Sequence, residues 1–193
     1  MDKGRLEAFS DGVIAILITI MVLELKIPHG QEWADLKPLF PVALTYLLSF
    51  IYLGIYWNNH HHLFCLVERI SGGVLWANLH LLFWLSLVPF ATGWMGEHDC
   101  GPKPTALYGG VLLMAAIAWT IMQTVILRVQ GPGSRLSAAL GSDVKGKISI
   151  VLYLAGIGLA FVLQWAAVAI YALVALIWIV PDKRIEALLF DGE

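Results

Sequence analysis

Polar side chains set inside long apolar runs are the positions of this 193-residue chain where chemistry could occur. Ser10 and Asp11 precede an uncharged run from Gly12 to Leu23, Asn58 to His62 form an unbroken polar stretch, and Asn78 and His80 interrupt a later apolar block. Imidazoles and carboxylates can hold metals, bind haem or carry protons. Three consecutive histidines, however, diverge by about 100° per residue on a helix. No histidine pair stands at i and i+4, and no H-E-x-x-H or flanking carboxylate cluster occurs. The stretch therefore points to hydrogen bonding rather than metal binding. One or two of His60, His61 and His62 are expected to bond Asp11, Arg5 and Asn78, with the others meeting lipid headgroups. His80 could relay protons, although an interhelical hydrogen bond is the commoner role for such a residue. No nucleophile–base set, phosphate-cradling glycine loop or paired catalytic carboxylates appear, so neither an enzyme nor a resident cofactor is expected.

The elements that must position these groups are membrane helices. The chain is 59% hydrophobic and only 13% charged, well above the roughly 45–50% apolar content of soluble domains. A net charge of −2 without a basic tract excludes nucleic acid as a partner. Residues 38–67, 70–96, 104–127 and 148–180 contain no Asp, Glu, Lys or Arg, and about 20 such residues suffice to cross a bilayer as a helix. The last block would make roughly 50 Å of helix, too long for one span, so a break near Gln164 and Trp165 is expected. The N-terminal stretch, interrupted by Glu7 and Asp11, is taken as a retained span rather than a cleaved signal. An all-α bundle of six spans follows, at roughly 6–26, 38–64, 70–95, 104–127, 146–163 and 165–181 in a single domain.

Orientation comes from the excess of Lys and Arg on cytoplasmic flanks. With both termini cytoplasmic, the inner segments hold Lys3, Arg5, Arg69, Arg128, Arg135, Lys145, Lys147, Lys183 and Arg184, against Lys26, Lys37 and Lys103 outside. Lys145 and Lys147 precede the final block while Lys183 and Arg184 follow it, which requires an even number of crossings there. Gln130 to Gly146, rich in Gly, Ser and Ala, is expected to be a cytoplasmic loop or short surface helix. Cys65 and Cys100 fall on opposite membrane sides and are not expected to pair. Eight tryptophans suit interfacial belts.

The first helix departs from the pattern, because Gly12 to Leu23 is short for a span and forces Asp11 into or near the membrane. On a helical wheel Gly12, Thr19, Ile20 and Leu23 fall within about 60° of Ile16, while Ser10 and Asp11 lie roughly 120–140° away. Periodicity alone fits a packing face as well as a functional stripe. Glu24 and Lys26 stand just beyond it, at an outer mouth or at an ordinary solvated helix end.

Arg5, Phe9, Ser10 and Asp11 form an R-x-x-x-F-S-D motif that resembles the signature of the transmembrane protein 175 family of potassium channels. Trp57, His60, His61, Leu63 and Phe64, then Asn78, Pro89 and Phe90, extend the resemblance over about the first 90 residues. It implies a homotetramer with first helices around a central pore, a narrow aliphatic constriction and no T-V-G-Y-G selectivity loop, which this chain also lacks. Carried over, the pore-facing positions are Ile16, Thr19 and Leu23, with Gly12 and Ile20 on the same stripe. Arg5, Phe9, Ser10, Asp11, His60, His61 and Asn78 become a structural polar network tying the helices together. The expected function is a potassium-permeable cation channel in a prokaryotic plasma membrane, its partners being copies of itself, lipid and monovalent cations. The rivals are a secondary transporter or a proton or cation leak, and a non-conducting scaffold. A transporter usually carries internal repeats or a broken helix at mid-membrane, whereas the first helix is expected to be uninterrupted.

Overall fold

The computed structural model describes residues 2–131, 134, 136 and 143–179. Arg135, Lys183, Arg184 and the last two residues of the expected sixth span lie outside them.

Helix α1 (Lys3–Ile20) starts where the Asp2 carboxylate accepts from the Gly4 amide at 3.1 Å, satisfying one otherwise orphaned N-terminal donor. At its far end Met21–Glu24 tightens into a 3-10 turn that carries the helical stretch on to Glu24. A second 3-10 segment, Trp33–Leu39, opens with reciprocal capping between Glu32 and Asp35 and leads into α2 (Phe40–Cys65). The expected third span is two helices, α3 (Gly72–Ser86) and α4 (Val88–Glu97), parted at Leu87. Pro89, with no amide hydrogen to give the preceding turn, accounts for the break. Past α4, Asp99 and Cys100 take left-handed backbone angles, φ 49° and 55°, and turn the chain into α5 (Pro102–Gln130). Helix α6 (Val144–Ala160) is capped by Asp143 and is followed, after a three-residue turn, by α7 (Gln164–Ile179), dividing the long final apolar block at Gln164.

Among the described residues, four stretches, Lys3–Glu24, Trp33–Cys65, Gly72–Glu97 and Pro102–Gln130, are long and apolar enough to cross a membrane, and Gln164–Ile179 is a shorter apolar helix. The bundle is built outward from α5, which packs on α3, α4, α6 and α7, while α1 leans on α2 and α3. Lys3 Nζ donates to the Cys65 carbonyl, and Gln130 bonds the backbone of Glu68 and Arg69, so the start of α1, the α2–α3 turn and the end of α5 meet at one end. Lys26 pairs with Glu97 at the other.

At the centre sit four tyrosines. Tyr52 donates to the Tyr171 carbonyl at 2.5 Å, Tyr153 to the Tyr52 hydroxyl at 3.3 Å, and Tyr171 to the Thr105 carbonyl at 3.3 Å. Ser49 joins Thr92 and Tyr108 at 2.6 and 2.9 Å. Two of these bonds end on main-chain carbonyls, which cannot pass a proton on, so the cluster is a fastening between helices. Tyr171 fits because Gly109 and Gly156 face it: a β-carbon at Gly109 would stand 2.0 Å from its hydroxyl, and one at Gly156 2.5 Å from its ring. A β-carbon on neighbouring Gly110 would meet nothing within 4 Å. Gly109→Ala is therefore expected to cost about 1–3 kcal/mol by overpacking and to lower the thermal unfolding temperature in detergent, while Gly110→Ala leaves it unchanged or slightly raised.

Candidate functional site

Helix α1 has two faces of opposite character. Leu6, Ser10, Ile14, Leu17 and Met21 are buried against α2 and α3, centred roughly 120° from Ile16 on the wheel. Gly12, Ile16, Thr19, Ile20 and Leu23 are all exposed on the single chain. Ile16 is 63% and Leu23 73% exposed, against 0% for Ile14 and Met21. An exposed aliphatic row beside a fully buried one is a surface that lipid, another copy or a pore must meet.

Buried polar contacts hold α1 in this rotation. Asn78 Nδ2 donates to Ser10 Oγ at 2.9 Å, Ser10 Oγ donates to the Leu6 carbonyl at 2.9 Å, and His60 Nε2 lies 2.8 Å from Asn78 Oδ1. The Asn78 amide nitrogen is committed to Ser10, so its oxygen must accept, and His60 carries its proton on Nε2. The result is one directed chain, His60 to Asn78 to Ser10 to Leu6, tying α2 and α3 to α1. His60 also stacks on Phe64, ring centroids 4.4 Å apart.

The remaining expected members lie elsewhere. Asp11 accepts from Trp57 Nε1 at 3.0 Å, not from a histidine. His61 stacks on Trp57 and approaches Cys65 Sγ at 3.7 Å. Arg5 and Phe9 are exposed and outside the hydrogen-bond chain, within about 20° of Ile16 on the wheel. His80 accepts from Trp84 Nε1 at 3.0 Å within its own helix, so its bond is not interhelical. Trp57 as the donor to Asp11 is the contact that the sequence reading missed. The available signal was chemical, since an indole can only donate and an ionised carboxylate can only accept. Among the described residues no group of three or more His, Cys, Asp and Glu side chains could hold a metal.

Thr19, on the exposed row, donates its hydroxyl hydrogen back to the Ala15 and Ile16 carbonyls, both at 3.0 Å. Its oxygen lone pairs are left facing outward, able to accept but not to donate. Beyond the row, hydrogen bonding to Glu97, then that carboxylate's charge and a smaller contribution from Glu24, raise the Lys26 ammonium above its ordinary pKa.

The family described as "Endosomal/lysosomal potassium channel TMEM175" matches residues 5–89, which carry the motif and the polar chain. A protein of Chryseobacterium sp. named a potassium channel is 58% identical over 96% of this chain and 97% of its own length. The chain belongs to the TMEM175 family. A Streptomyces collinus relative, also named a potassium channel, is 33% identical over 91% of this chain and 90% of its own. The crystal structure of a lysosomal potassium-selective channel TMEM175 homolog from Chamaesiphon minutus superposes with a TM-score of 0.78 and 30% identity, covering 91% of this chain and 95% of that one. The human relative, named an endosomal/lysosomal proton channel TMEM175, is 31% identical over 47% of this chain and 20% of its own length. The TMEM175 fold thus extends past the matched 85 residues to nearly the whole chain.

Removing the middle of the polar chain should hurt most. Asn78→Leu leaves the His60 donor and a Ser10 acceptor unpaired in the core, and is expected to cost about 1–3 kcal/mol, lowering unfolding temperature and the yield of folded protein on size exclusion. Asp11→Ala, at a half-buried site with a single indole partner, should lose less than Asn78→Leu in the same assay. The reverse order would contradict the assignment of Asn78 as the tie.

Proposed function

We propose that this chain is the subunit of a homotetrameric, potassium-permeable cation channel whose pore is lined by the exposed row of α1. The observation that carries the reading is that row itself: aliphatic side chains exposed on the single chain, on a helix whose opposite face is locked into the bundle. One chain cannot surround a pore with one helix, so conduction requires a closed ring of copies with cyclic symmetry. Support for potassium as the permeant ion comes from the names of the bacterial relatives and from the likeness to the Chamaesiphon structure. Each subunit crosses the membrane six times with both termini cytoplasmic, in a prokaryotic plasma membrane, and no enzymatic step is involved.

Rings of Ile16 and Leu23 form the constriction, with Ile20 backing it and Gly12 widening the cytoplasmic approach. A narrow aliphatic ring excludes water and hydrated ions until it dilates. Between the two rings the Thr19 oxygens supply the side-chain acceptors of the row. Because each hydroxyl hydrogen is engaged with its own helix, what faces the ion is oxygen, suited to a partly dehydrated cation and unsuited to an anion. Selectivity without a carbonyl-lined filter is modest.

Proton conduction along the same row is a second reading, favoured by the names of the vertebrate relatives. The transporter reading regains one argument from the 3-10 turn at Met21–Glu24, but that turn follows α1 at its far end rather than dividing it at mid-membrane.

Polar substitution separates a water-filled row from a packed one. Ile16→Asn and Leu23→Asn should assemble normally and raise potassium flux in liposomes by severalfold, whereas packed positions would lose protein through costs of about 2–5 kcal/mol. Thr19→Val should keep assembly and reduce potassium preference over sodium. Intact Asn variants that conduct no more than the parent would remove the row from the pore. Flux driven by a pH gradient alone, in the absence of potassium, would support the proton reading.

A further inference from the structure

Beyond the constriction the chain places a carboxylate that conduction through the row does not explain. Glu24 closes the 3-10 turn one residue after Leu23 and is half-buried. Its side chain lies over Gly93 of α4, where an added β-carbon would stand 2.8 Å from Oε2 and 3.0 Å from Cδ, so glycine leaves the room the carboxylate occupies. Lys26, two residues on, turns to Glu97 at the end of α4 and pairs with it. The Glu24 main-chain carbonyl accepts from the Lys26 amide at 3.0 Å, and its carboxylate has no hydrogen bond or ion pair among the described residues. Lys26 is engaged in direct contact by Glu97 and makes none with the Glu24 carboxylate, which stands at the end of the row.

We propose that Glu24 is a specificity-determining residue: a ring of its carboxylates, one per copy, concentrates cations at the outer end of the path and repels anions, while the Lys26–Glu97 pair keeps the nearest ammonium from neutralising it. The inference rests on the channel reading above. Like charges gathered at a low-dielectric mouth focus their field into it and raise the local counter-ion concentration. Such a field reaches about 10 Å at 0.1 M salt and about 3 Å at 1 M, so its effect must fade as salt rises. A purely structural role for Glu24 would not be screened. Gly93 acts as a positioning residue, since a β-carbon there moves the carboxylate without changing any charge.

Single-channel recording of the full-length protein in symmetrical KCl, at about 0.05 M and about 1 M, tests this. Glu24→Gln is expected to lower current entering from the outer side about twofold at low salt, with little change in the opposite direction, and to match the parent at high salt. Gly93→Ala should show a smaller deficit of the same kind, and Lys26→Gln a rise at low salt. Should Glu24→Gln fail to assemble, Gly93→Ala carries the test: a deficit seen at low salt and absent at high salt supports the proposal, and an unchanged current overturns it. A Glu24→Gln channel equal to the parent at both salts, or equally reduced at both and in both directions, overturns it while leaving the channel reading standing. A parent protein that assembles and passes no cation overturns both.

Discussion

Ser10 is a hydroxyl buried at the interface of α1 with α2 and α3, and its satisfaction decides which way the whole helix faces. It donates to its own helix at Leu6 and accepts from Asn78, whose oxygen is in turn occupied by His60. A buried polar group without partners costs more than most apolar contacts return. Turning α1 by even one residue step, about 100°, would take Ser10 away from Asn78 and leave the buried amide hydrogen without its acceptor. Non-directional packing of Leu, Ile and Met tolerates such a turn far better. The polar chain therefore fixes the helix rotation, and with it the exposure of Ile16 and Leu23.

That constraint links the two ends of the row. At the end near the chain's start, Trp57 reaches Asp11 and Lys3 reaches Cys65, holding α1 to the foot of α2. At the far end, the 3-10 turn carries Glu24 onto Gly93 and Lys26 onto Glu97, holding α1 to α4. Between these anchorages, among the described residues, no polar side-chain bond ties the exposed row to another helix. A helix pinned at both ends and along one face, with its other face aliphatic, can shift its free side chains without unmaking the fold.

Much of this was legible in the sequence because charge is so costly in a bilayer. The uncharged blocks located α2, α5 and the α6–α7 hairpin, and the excess length of the final block demanded the break that falls at Gln164. The wheel separated Ser10 from Ile16 because a 3.6-residue period is readable over two turns. It could not show the tightening at Met21–Glu24, since over four residues a 3.0-residue period and a 3.6-residue period place side chains almost alike. Pro89 was visible, but whether it kinks a span or divides it depends on how α4 packs against α2 and α5. The partner of Asp11 was beyond reach for a similar reason: Trp57 and His61 lie one turn apart on α2, and only the relative height of the two helices chooses between them.

The central claim is that the exposed row of α1 meets water, not lipid. Charged thiol reagents attack thiolates, which form only where water reaches, so the direct measurement is their effect on single cysteines in a Cys65→Ser background. Potassium flux through reconstituted protein would be followed as a membrane-impermeant reagent is added to Ile16→Cys and, in parallel, to Ile14→Cys. The account predicts that the reagent labels Ile16→Cys and blocks its flux, and leaves Ile14→Cys unlabelled. Assembled Ile16→Cys protein that resists labelling, or that is labelled with its potassium flux intact, would contradict it.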